Sequence, residues 1–176
     1  MLIHLVRHGE TAGNGQCYVG RRDLALTAVG EGQAEGVARV LAGRRIGRIW
    51  ASPLQRAVGT ATPLARMTGL PIKTDARLME IDFGVLEGKP KGTQSLSLRK
   101  AHATTPIDGG ESLAQVTARV AGFLRELPRE AEGEVVIVGH YWANRMLFGL
   151  IGDGRDYRPA TGSVISFTPV WAENAL

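Results

Sequence analysis

Leu5-Val6-Arg7-His8-Gly9-Glu10-Thr11 is the stretch of this sequence that decides the fold. It completes a short apolar run, residues 2–6, whose length is typical of a buried strand. A cation, an imidazole, a glycine, a carboxylate and a hydroxyl then follow one another directly. In an open α/β sheet, ligands bind just beyond the carboxyl ends of the strands. Arg7 and His8 therefore lie where a binding site is expected, at the carboxyl end of the first strand.

Strand patterns recur along the rest of the chain. Apolar runs at residues 46–51 and 134–139 predict two further strands, and the second run is continuous enough to be buried on both faces. Residues 72–76 predict a short strand, and the alternation in residues 163–170 predicts an edge strand. The strand at residues 134–139 ends in His140. Two strands that each end in a histidine at the same sheet edge indicate a shared site.

Helix start signals separate these strands. Thr27 is a predicted N-cap, and Ser52 followed by Pro53 predicts a second helix with serine as its N-cap. Ser112 with Gln115 three residues later forms a capping box, which predicts the clearest helix. Alternating strands and helices predict an α/β fold, a three-layer α/β/α sandwich with a mostly parallel central sheet and an antiparallel edge strand.

Residues 87–110 show the weakest pattern in the chain. We interpret them as a locally basic loop that carries one short helix, around residues 95–103, and covers a site. The loop is small. No linker or repeat interrupts the sequence, so we expect one domain over residues 1–176.

The composition excludes several classes of protein. A net charge of +4 suits a small anionic ligand, whereas an aromatic content of 6% and scattered basic residues argue against nucleic-acid binding. No apolar run of about 18 residues predicts a membrane span, and no signal peptide is expected. The single cysteine, Cys17, excludes an internal disulfide and favours the cytoplasm. A homodimer is left open.

The motifs together resemble the histidine phosphatase superfamily, the phosphoglycerate-mutase-like family. The resemblance covers nearly the whole chain in the family's order, and the R-H-G-E-T signature at the first strand is its most specific part. The matching stretches are Arg7-His8-Gly9-Glu10-Thr11, Ser52-Pro53-Leu54-Gln55-Arg56-Ala57, Glu80 with Phe83-Gly84, Gly110-Glu111-Ser112 and the late strand ending in His140.

The resemblance implies a role for each residue that would hold a phosphoryl group. His8 matches the nucleophile that becomes phosphohistidine, and Arg7 and Arg56 match the two arginines that grip the phosphoryl oxygens. His140 matches the second histidine, and Asn14 matches a further phosphate contact, although a turn-forming role is equally open. Arginine suits these positions because its planar fork of donors matches phosphate oxygens and stays charged. No metal and no cofactor are expected.

A proton donor is also required, because the leaving alkoxide must be protonated. Glu80 matches the family's proton donor. The alternatives are that Glu80 is structural, or that Asp82 or Glu87 is the acid instead.

Two departures from the family pattern concern specificity. The family usually has a small residue after the second histidine, whereas here Tyr141 and Trp142 follow His140. These rings either crowd the pocket or form a wall for an aromatic or sugar leaving group. The family's F-G-x-W-E-G stretch also lacks its tryptophan in residues 83–88.

The resemblance implies a metal-independent phosphomonoester hydrolase that acts through a phosphohistidine on a small phosphorylated metabolite. We prefer this hypothesis to a cofactor-dependent phosphoglycerate mutase because a short lid admits water. A catalytically weak phosphate-binding module, with Tyr141 blocking in-line attack, is the non-enzyme alternative.

Overall fold

The computed structural model describes residues 1–91, 101–129 and 132–171. The strands of this structure are β1 (Ile3–Arg7), β2 (Ile46–Ala51), β3 (Ile72–Thr74), β4 (Glu134–Gly139) and β5 (Val164–Phe167). The α-helices are α1 (Ala28–Val40), α2 (Gln55–Thr68), α3 (Leu113–Glu126) and α4 (Tyr141–Ile151). Short 3₁₀ turns lie at Ala76–Leu78 and Gly84–Leu86. The predicted helix around residues 95–103 falls largely on residues 92–100, outside the described ranges.

The strands form one mixed sheet in the order β3-β2-β4-β1-β5. The three pairings β2–β3, β2–β4 and β1–β4 are parallel, and β5 runs antiparallel to β1 at the edge. The predicted α/β fold with an antiparallel edge strand is confirmed. The strand of the opening stretch lies between β4 and β5, with Arg7 in register with Gly139. The carboxyl ends of β1 and β4 therefore meet at one point of the sheet edge.

Alternation along β1 and β4 divides the core between the two faces of the sheet. Leu5 and Ile137 face a cluster that α3 and α4 complete, whereas Val6 and Val138 face a cluster completed by α1 and α2. These strand residues are fully buried. Both central strands need apolar residues on both faces, which explains their continuous apolar runs.

The helix starts agree with the predicted signals in two cases out of three. Thr27 caps α1, and the capping box of Ser112 and Gln115 is formed at α3. The prediction that Ser52 caps α2 is wrong, because α2 begins at Gln55 after an extended Leu54. The acceptor comes instead from a preceding loop, where the carboxylate of Asp23 accepts the Gln55 backbone N–H at 2.7 Å. A carboxylate at a helix N-terminus is favourable for the helix dipole.

His4 is part of a polar network at the opposite end of the sheet from His8. Its Nδ1 lies 2.7 Å from Ser166 Oγ on β5, and its Nε2 lies 2.7 Å from the carboxylate of Glu134 on β4. Arg44, ahead of β2, donates to the same carboxylate through two nitrogens. The network links successive elements of the sheet, so His4 is structural. Among the described residues, no helix is both long and apolar enough to cross a bilayer.

Candidate active site

A cavity of about 570 Å³ opens at the carboxyl edge of β1 and β4. It is lined by the end of β1, by the glycine-rich loop that follows it, by the first half of α4 and by residues of the loops at 80–91 and 158–161. The polar and aromatic side chains of its lining are Arg7, His8, Glu10, Asn14, Cys17, Tyr18, Glu80, Phe83, Lys91, Tyr141, Trp142, Arg145, Arg158 and Thr161.

The two strand-end histidines lie side by side at the base of this cavity. Their ring centroids are 5.0 Å apart, with the planes tilted by 56°. His8 is 4% exposed and lines the cavity, whereas His140 is completely buried behind it. The contact follows directly from the parallel pairing of β1 with β4, because each histidine is the first residue after its strand.

His8 is held in one tautomer. Its Nδ1 lies 2.6 Å from the carbonyl oxygen of Gly9, which can only accept, so Nδ1 carries the hydrogen and donates. The remaining nitrogen, Nε2, then has a free lone pair. Burial and the positive charge of Arg56 lower the pKa of His8 to about 3, so the ring is neutral at physiological pH. A neutral imidazole with a free Nε2 is the form required for nucleophilic attack.

Thr60, which was not among the predicted site residues, holds the backbone that orients His8. Its Oγ1 accepts the Gly9 N–H at 2.9 Å and donates to the Arg56 carbonyl at 2.7 Å. Gly9 also packs so closely on Gly30 that a Cβ at Gly9 would overlap the Gly30 carbonyl oxygen. The Gly9 carbonyl that fixes the His8 tautomer is therefore held from both sides. The signal for Thr60 was its spacing, four residues after Arg56 on the same helix face.

Replacement of Thr60 by valine is expected to lower kcat about tenfold with little change in KM. The isosteric side chain keeps the packing but leaves the Gly9 N–H without its acceptor, so the acceptor for His8 Nδ1 becomes less well placed. Steady-state kinetics check this result. Thr60→Ser keeps the hydroxyl and should restore kcat, whereas equal losses of kcat in the serine and valine variants would contradict a positioning role.

Arg56 lies behind the cavity and holds three acceptors. Its Nε donates to His140 Nδ1 at 3.2 Å, and its two terminal nitrogens donate to the carbonyls of Arg22 and Gly20, each at 2.7 Å. The side chain is 1% exposed and does not line the cavity. The structure therefore places Arg56 beside His8 and His140, as expected. Arg56 was also expected to bind the phosphoryl oxygens directly, but it lies behind the residues that line the cavity.

The bond from Arg56 also fixes the tautomer of His140. Because the Arg56 Nε–H can only donate, His140 Nδ1 must accept, and its hydrogen is on Nε2. Burial, together with the nearby Arg56 charge, lowers the pKa of His140 well below its ordinary value, so this ring is neutral as well. The buried Nε2 has no hydrogen-bond partner among the described residues. A buried donor without an acceptor, beside His8, suits an oxygen of a bound anion.

Arg7 and Asn14 lie on the lining itself. Arg7 donates from Nη1 to the Pro159 carbonyl at 2.8 Å, and its buried Nε has no partner in the described part of the chain. Asn14 Oδ1 accepts from both the backbone and the hydroxyl of Thr11, at 2.6 and 3.0 Å. This contact gives Asn14 a turn-forming role. Since these bonds use only the oxygen, its amide nitrogen can still serve as a donor in the cavity.

Glu80 is the acidic candidate that the structure places in the cavity. Its Oε1 accepts the backbone N–H groups of Ile81, Trp142 and Ala143 at 3.0, 3.0 and 3.3 Å. Two of these donors belong to the first turn of α4, where a carboxylate is favourable. Within the described ranges, Oε2 accepts only from Trp142 N, at 3.2 Å. Oε2 is therefore the better oxygen to carry a proton.

The two alternative acids have structural contacts and are not part of the lining. Glu87 accepts the backbone N–H groups of Gly20, Arg21 and Phe83, and it thereby holds the loop whose carbonyls contact Arg56. Asp82 accepts the Gly84 N–H at 2.9 Å. Both contacts shape loops around the site, so Glu80 is the one of the three candidate acids that lines the cavity.

Tyr141 and Trp142 form one wall of the cavity, and their rings contact each other edge to face with centroids 5.3 Å apart. Cations occupy their faces. The guanidinium carbon of Arg7 lies 5.3 Å from the Tyr141 centroid, and that of Arg145 lies 5.5 Å from Tyr141 and 5.3 Å from Trp142. Arg7 and Arg145 thus both form cation–π contacts with the aromatic pair. Arg145 was not among the predicted site residues, although its position four residues after Tyr141 predicts this contact on a helix.

No group of three or more His, Cys, Asp or Glu side chains within the described ranges is arranged to hold a metal ion. The arrangement that is present consists of a neutral imidazole with a free nitrogen, arginine charges beside it, a buried unpaired N–H donor and the carboxylate of Glu80. These groups can bind an anion, attack its central atom and transfer a proton.

The family model described as histidine phosphatase superfamily (branch 1) matches residues 3–160. Among curated proteins, a probable phosphoglycerate mutase GpmB from Yersinia enterocolitica is 45% identical over 151 residues, covering 78% of this chain and 68% of its own. Phosphoserine phosphatase 1 from Hydrogenobacter thermophilus is 34% identical over 156 residues, covering 82% of this chain and 72% of its own.

Two solved structures show the same fold. The mycobacterial glucosyl-3-phosphoglycerate phosphatase in its complex with VO3 has a TM-score of 0.81 and 30% identity, and the match covers 95% of this chain and 92% of that one. TTHB049 from Thermus thermophilus has a TM-score of 0.78 and 30% identity, with coverage of 98% and 100%.

Proposed function

Because the chain belongs to the histidine phosphatase superfamily (branch 1) and is a phosphatase of that type, we propose that it hydrolyses small phosphomonoesters through a phosphohistidine at His8. The observation that carries this proposal is the state of His8. It is neutral, it lines the cavity, and its Nδ1 is already bound to Gly9, so that Nε2 is the available nucleophile.

The first step forms a bond between His8 Nε2 and phosphorus and breaks the bond from phosphorus to the leaving oxygen. Glu80 gives its proton to that oxygen, and the alcohol departs. Arg7 and the amide of Asn14 bind the phosphoryl oxygens from the cavity side. The Nε2–H of His140 donates to a phosphoryl oxygen from the buried side, and the positive charge of Arg56 further stabilises the negative charge of the phosphoryl group. Phosphoryl transfer depends mainly on this kind of positioning and charge stabilisation.

The second step reverses the roles of the groups. The Glu80 carboxylate takes a proton from water, the oxygen of that water attacks phosphorus, and the bond to His8 Nε2 breaks. Inorganic phosphate leaves, and His8 returns to its neutral form with Nδ1 still bonded to Gly9. The same carboxylate thus acts first as acid and then as base.

Turnover of a panel of phosphomonoesters in the presence of EDTA tests the proposal. We expect release of inorganic phosphate from at least one small metabolite. The absence of a requirement for added metal follows from the proposed roles, since nitrogen and carboxylate groups of the chain supply the nucleophile, the acid and the charges. We also propose a cytoplasmic location, which the single cysteine supports.

Phosphoglycerate mutase activity is the second candidate, because a relative with 45% identity carries that name. The two activities differ only in the acceptor of the phosphoryl group from phospho-His8. Incubation with 3-phosphoglycerate separates them. Release of inorganic phosphate supports the hydrolase, and formation of 2-phosphoglycerate without free phosphate would overturn it.

Replacement of Glu80 by glutamine is expected to slow phosphorylation of His8 by alkyl phosphates about 100- to 1,000-fold. Aryl phosphates should lose less than about tenfold in this step, because a nitrophenolate leaves without a proton. Rapid-quench measurement of phosphoenzyme formation from glycerol 3-phosphate and p-nitrophenyl phosphate checks this difference. Glu35→Gln, an exposed position on α1, serves as the control. Equal losses on both substrates would show that Glu80 is not the acid.

A further inference from the structure

Asn144 is a buried polar residue to which neither step of the proposed reaction gives a role. It lies near the start of α4 and is 1% exposed. The other buried residues of this helix are apolar, namely Ala143, Leu147, Phe148 and Ile151. A buried amide costs free energy unless its groups find partners, so the contacts of Asn144 indicate what it does.

The backbone and the side chain of Asn144 bind residues at two different strand ends. Its backbone N–H donates to the carbonyl of His140, the residue after β4, at 3.0 Å. Its side-chain nitrogen Nδ2 donates to the carbonyl of Val6 on β1 at 2.9 Å. Since that carbonyl can only accept, the nitrogen of the amide must face β1. Asn144 thus connects the end of β1, two positions before His8, with the end of β4.

Gly139, the last residue of β4, leaves the space that the Asn144 side chain fills. A Cβ on Gly139 would overlap Asn144 Oδ1, and the three nearest atoms outside the adjoining residues all belong to Asn144. The Gly139 carbonyl accepts the His8 N–H at 3.0 Å. The Asn144 amide therefore packs tightly between the ends of β1 and β4, against the residue that binds the His8 backbone.

Tyr157 shields Asn144 from solvent. Its ring packs against Phe148, one turn further along α4, with centroids 5.0 Å apart. Its hydroxyl is buried beside Asn144 and has no hydrogen-bond partner in the described part of the chain. Burial raises the pKa of Tyr157 to about 12, so the hydroxyl stays protonated. A hydrogen bond in such surroundings is stronger than one in water, which favours a fixed position of α4 relative to β1.

The distance between the two histidine rings depends on contacts of this kind. His8 Nδ1 is bonded to the Gly9 carbonyl. His140 Nδ1 is bonded to Arg56, so neither bond joins one ring to the other. The ring centroids are nevertheless 5.0 Å apart. Both rings must face one phosphoryl group in the proposed reaction, and a misplacement of about 1 Å can cost about 100-fold in rate.

We propose that Asn144 is a positioning residue for phosphoryl transfer. By binding the Val6 carbonyl and filling the space beside Gly139, it fixes the carboxyl ends of β1 and β4 relative to each other. His8 Nε2 and the Nε2–H of His140 are then directed at the same phosphoryl group. Asn144 acts through the strand ends and does not touch substrate, since it is not part of the cavity lining. The inference rests on the proposed function for the roles of the two histidines.

Replacement of Asn144 by leucine, which has nearly the same shape but no donor, tests this role. We expect kcat for p-nitrophenyl phosphate to fall about 10- to 100-fold and KM to change less than about threefold. Inhibition by orthovanadate should weaken by the same factor as kcat, because its bipyramidal adduct needs His8 and His140 correctly placed together. Inhibition by inorganic phosphate, which does not bond covalently to His8, should change less than about threefold.

The phosphate measurement also shows whether the cavity of the variant is folded. The matched control is Thr117→Val on α3, which removes a side-chain bond to the Leu113 carbonyl at a position outside the cavity lining. It should leave kcat and both inhibition constants unchanged. Wild-type kcat in Asn144→Leu, or equal weakening of vanadate and phosphate inhibition, would overturn the proposal.

Gly139→Ala measures the contact between Asn144 and the end of β4. The backbone of Gly139 is extended, so alanine is compatible with its dihedral angles. In the wild-type background, the new Cβ should displace Asn144 and weaken vanadate inhibition at least about tenfold. In the Asn144→Ala background, where the space is empty, the same change should cost less than about threefold. Equal losses in the two backgrounds would contradict the assigned contact.

Nuclear cross-relaxation between the ring protons of His8 and His140 in the ligand-free chain separates this inference from the proposed function. The signal should be present in the wild-type chain and in Thr117→Val, and it should decrease in Asn144→Leu. A decrease in a chain that hydrolyses no phosphomonoester supports the positioning of the rings without the activity. A chain that hydrolyses p-nitrophenyl phosphate, but whose signal is the same in Asn144→Leu as in the wild type, has the activity without this positioning role.

Discussion

Replacement of His8 by alanine is expected to lower kcat at least about 10,000-fold, because no other imidazole lines the described cavity and the covalent step is lost. Rapid-quench labelling with a ³²P-labelled phosphomonoester measures the step directly. The wild-type chain should form an acid-labile, base-stable phosphohistidine, and the variant should form none. Within the described ranges, the His8 side chain hydrogen-bonds only to its own neighbour Gly9, so the fold should persist.

The control for this result is His102→Ala, whose imidazole lies outside the cavity lining and contacts the Thr105 carbonyl. It should label as the wild-type chain does. Acid-labile label that persists in His8→Ala would assign the nucleophile to another residue. Failure of the wild-type chain to label with any reactive phosphate donor would favour the phosphate-binding module, with Tyr141 restricting in-line attack.

Replacement of Arg56 by lysine is expected to lower kcat/KM about 100- to 1,000-fold and the free energy of unfolding by about 2–4 kcal/mol. Arg56 binds His140 and the carbonyls of Gly20 and Arg22 at the same time, from three nitrogens of one planar group. A lysine has a single nitrogen and cannot reach all three acceptors. Steady-state kinetics and urea unfolding measure the two effects.

The consequences of this change extend to both histidines. Without the Arg56 Nε–H, His140 is no longer restricted to the tautomer that points a hydrogen towards the anion. The charge that depresses the His8 pKa is also displaced. Arg66→Lys, an exposed position on the same helix, should leave both measurements unchanged. Wild-type kcat/KM in Arg56→Lys would show that the fork geometry of Arg56 is not needed.

The two expected results concern residues that local sequence patterns identified. The apolar run before Arg7 and the continuous apolar run before His140 are strand signals in themselves, and parallel strands bring their carboxyl ends together. The order of elements therefore sufficed to predict the α/β fold and the contact between His8 and His140. The capping box at Ser112 and Gln115 was predictable for the same reason, since all of its atoms lie within a single helical turn.

Other features of the site depend on contacts between distant segments, which a linear pattern does not contain. Ser52 had the right chemistry for a helix cap, but Asp23 from another loop supplies the acceptor, and α2 begins at Gln55. Thr60 reaches Gly9 across 51 positions of the chain. Arg56 likewise lies behind the cavity because it donates to the carbonyls of Gly20 and Arg22, which belong to the loop that Glu87 binds.

The strand periodicity and the residues at the strand ends were enough to specify the sheet and the edge where the candidate site lies, because these follow from backbone geometry and local hydrogen bonding. The proposed role of His8 as the attacking histidine came from the resemblance to the family. The tertiary structure decided how each histidine is held in one tautomer, why both are neutral, and which charged side chains line the cavity. Tautomers, pKa values and net charge in a cavity depend on burial and on neighbours from separate loops, and only the packed chain brings those groups within a few ångströms of one another.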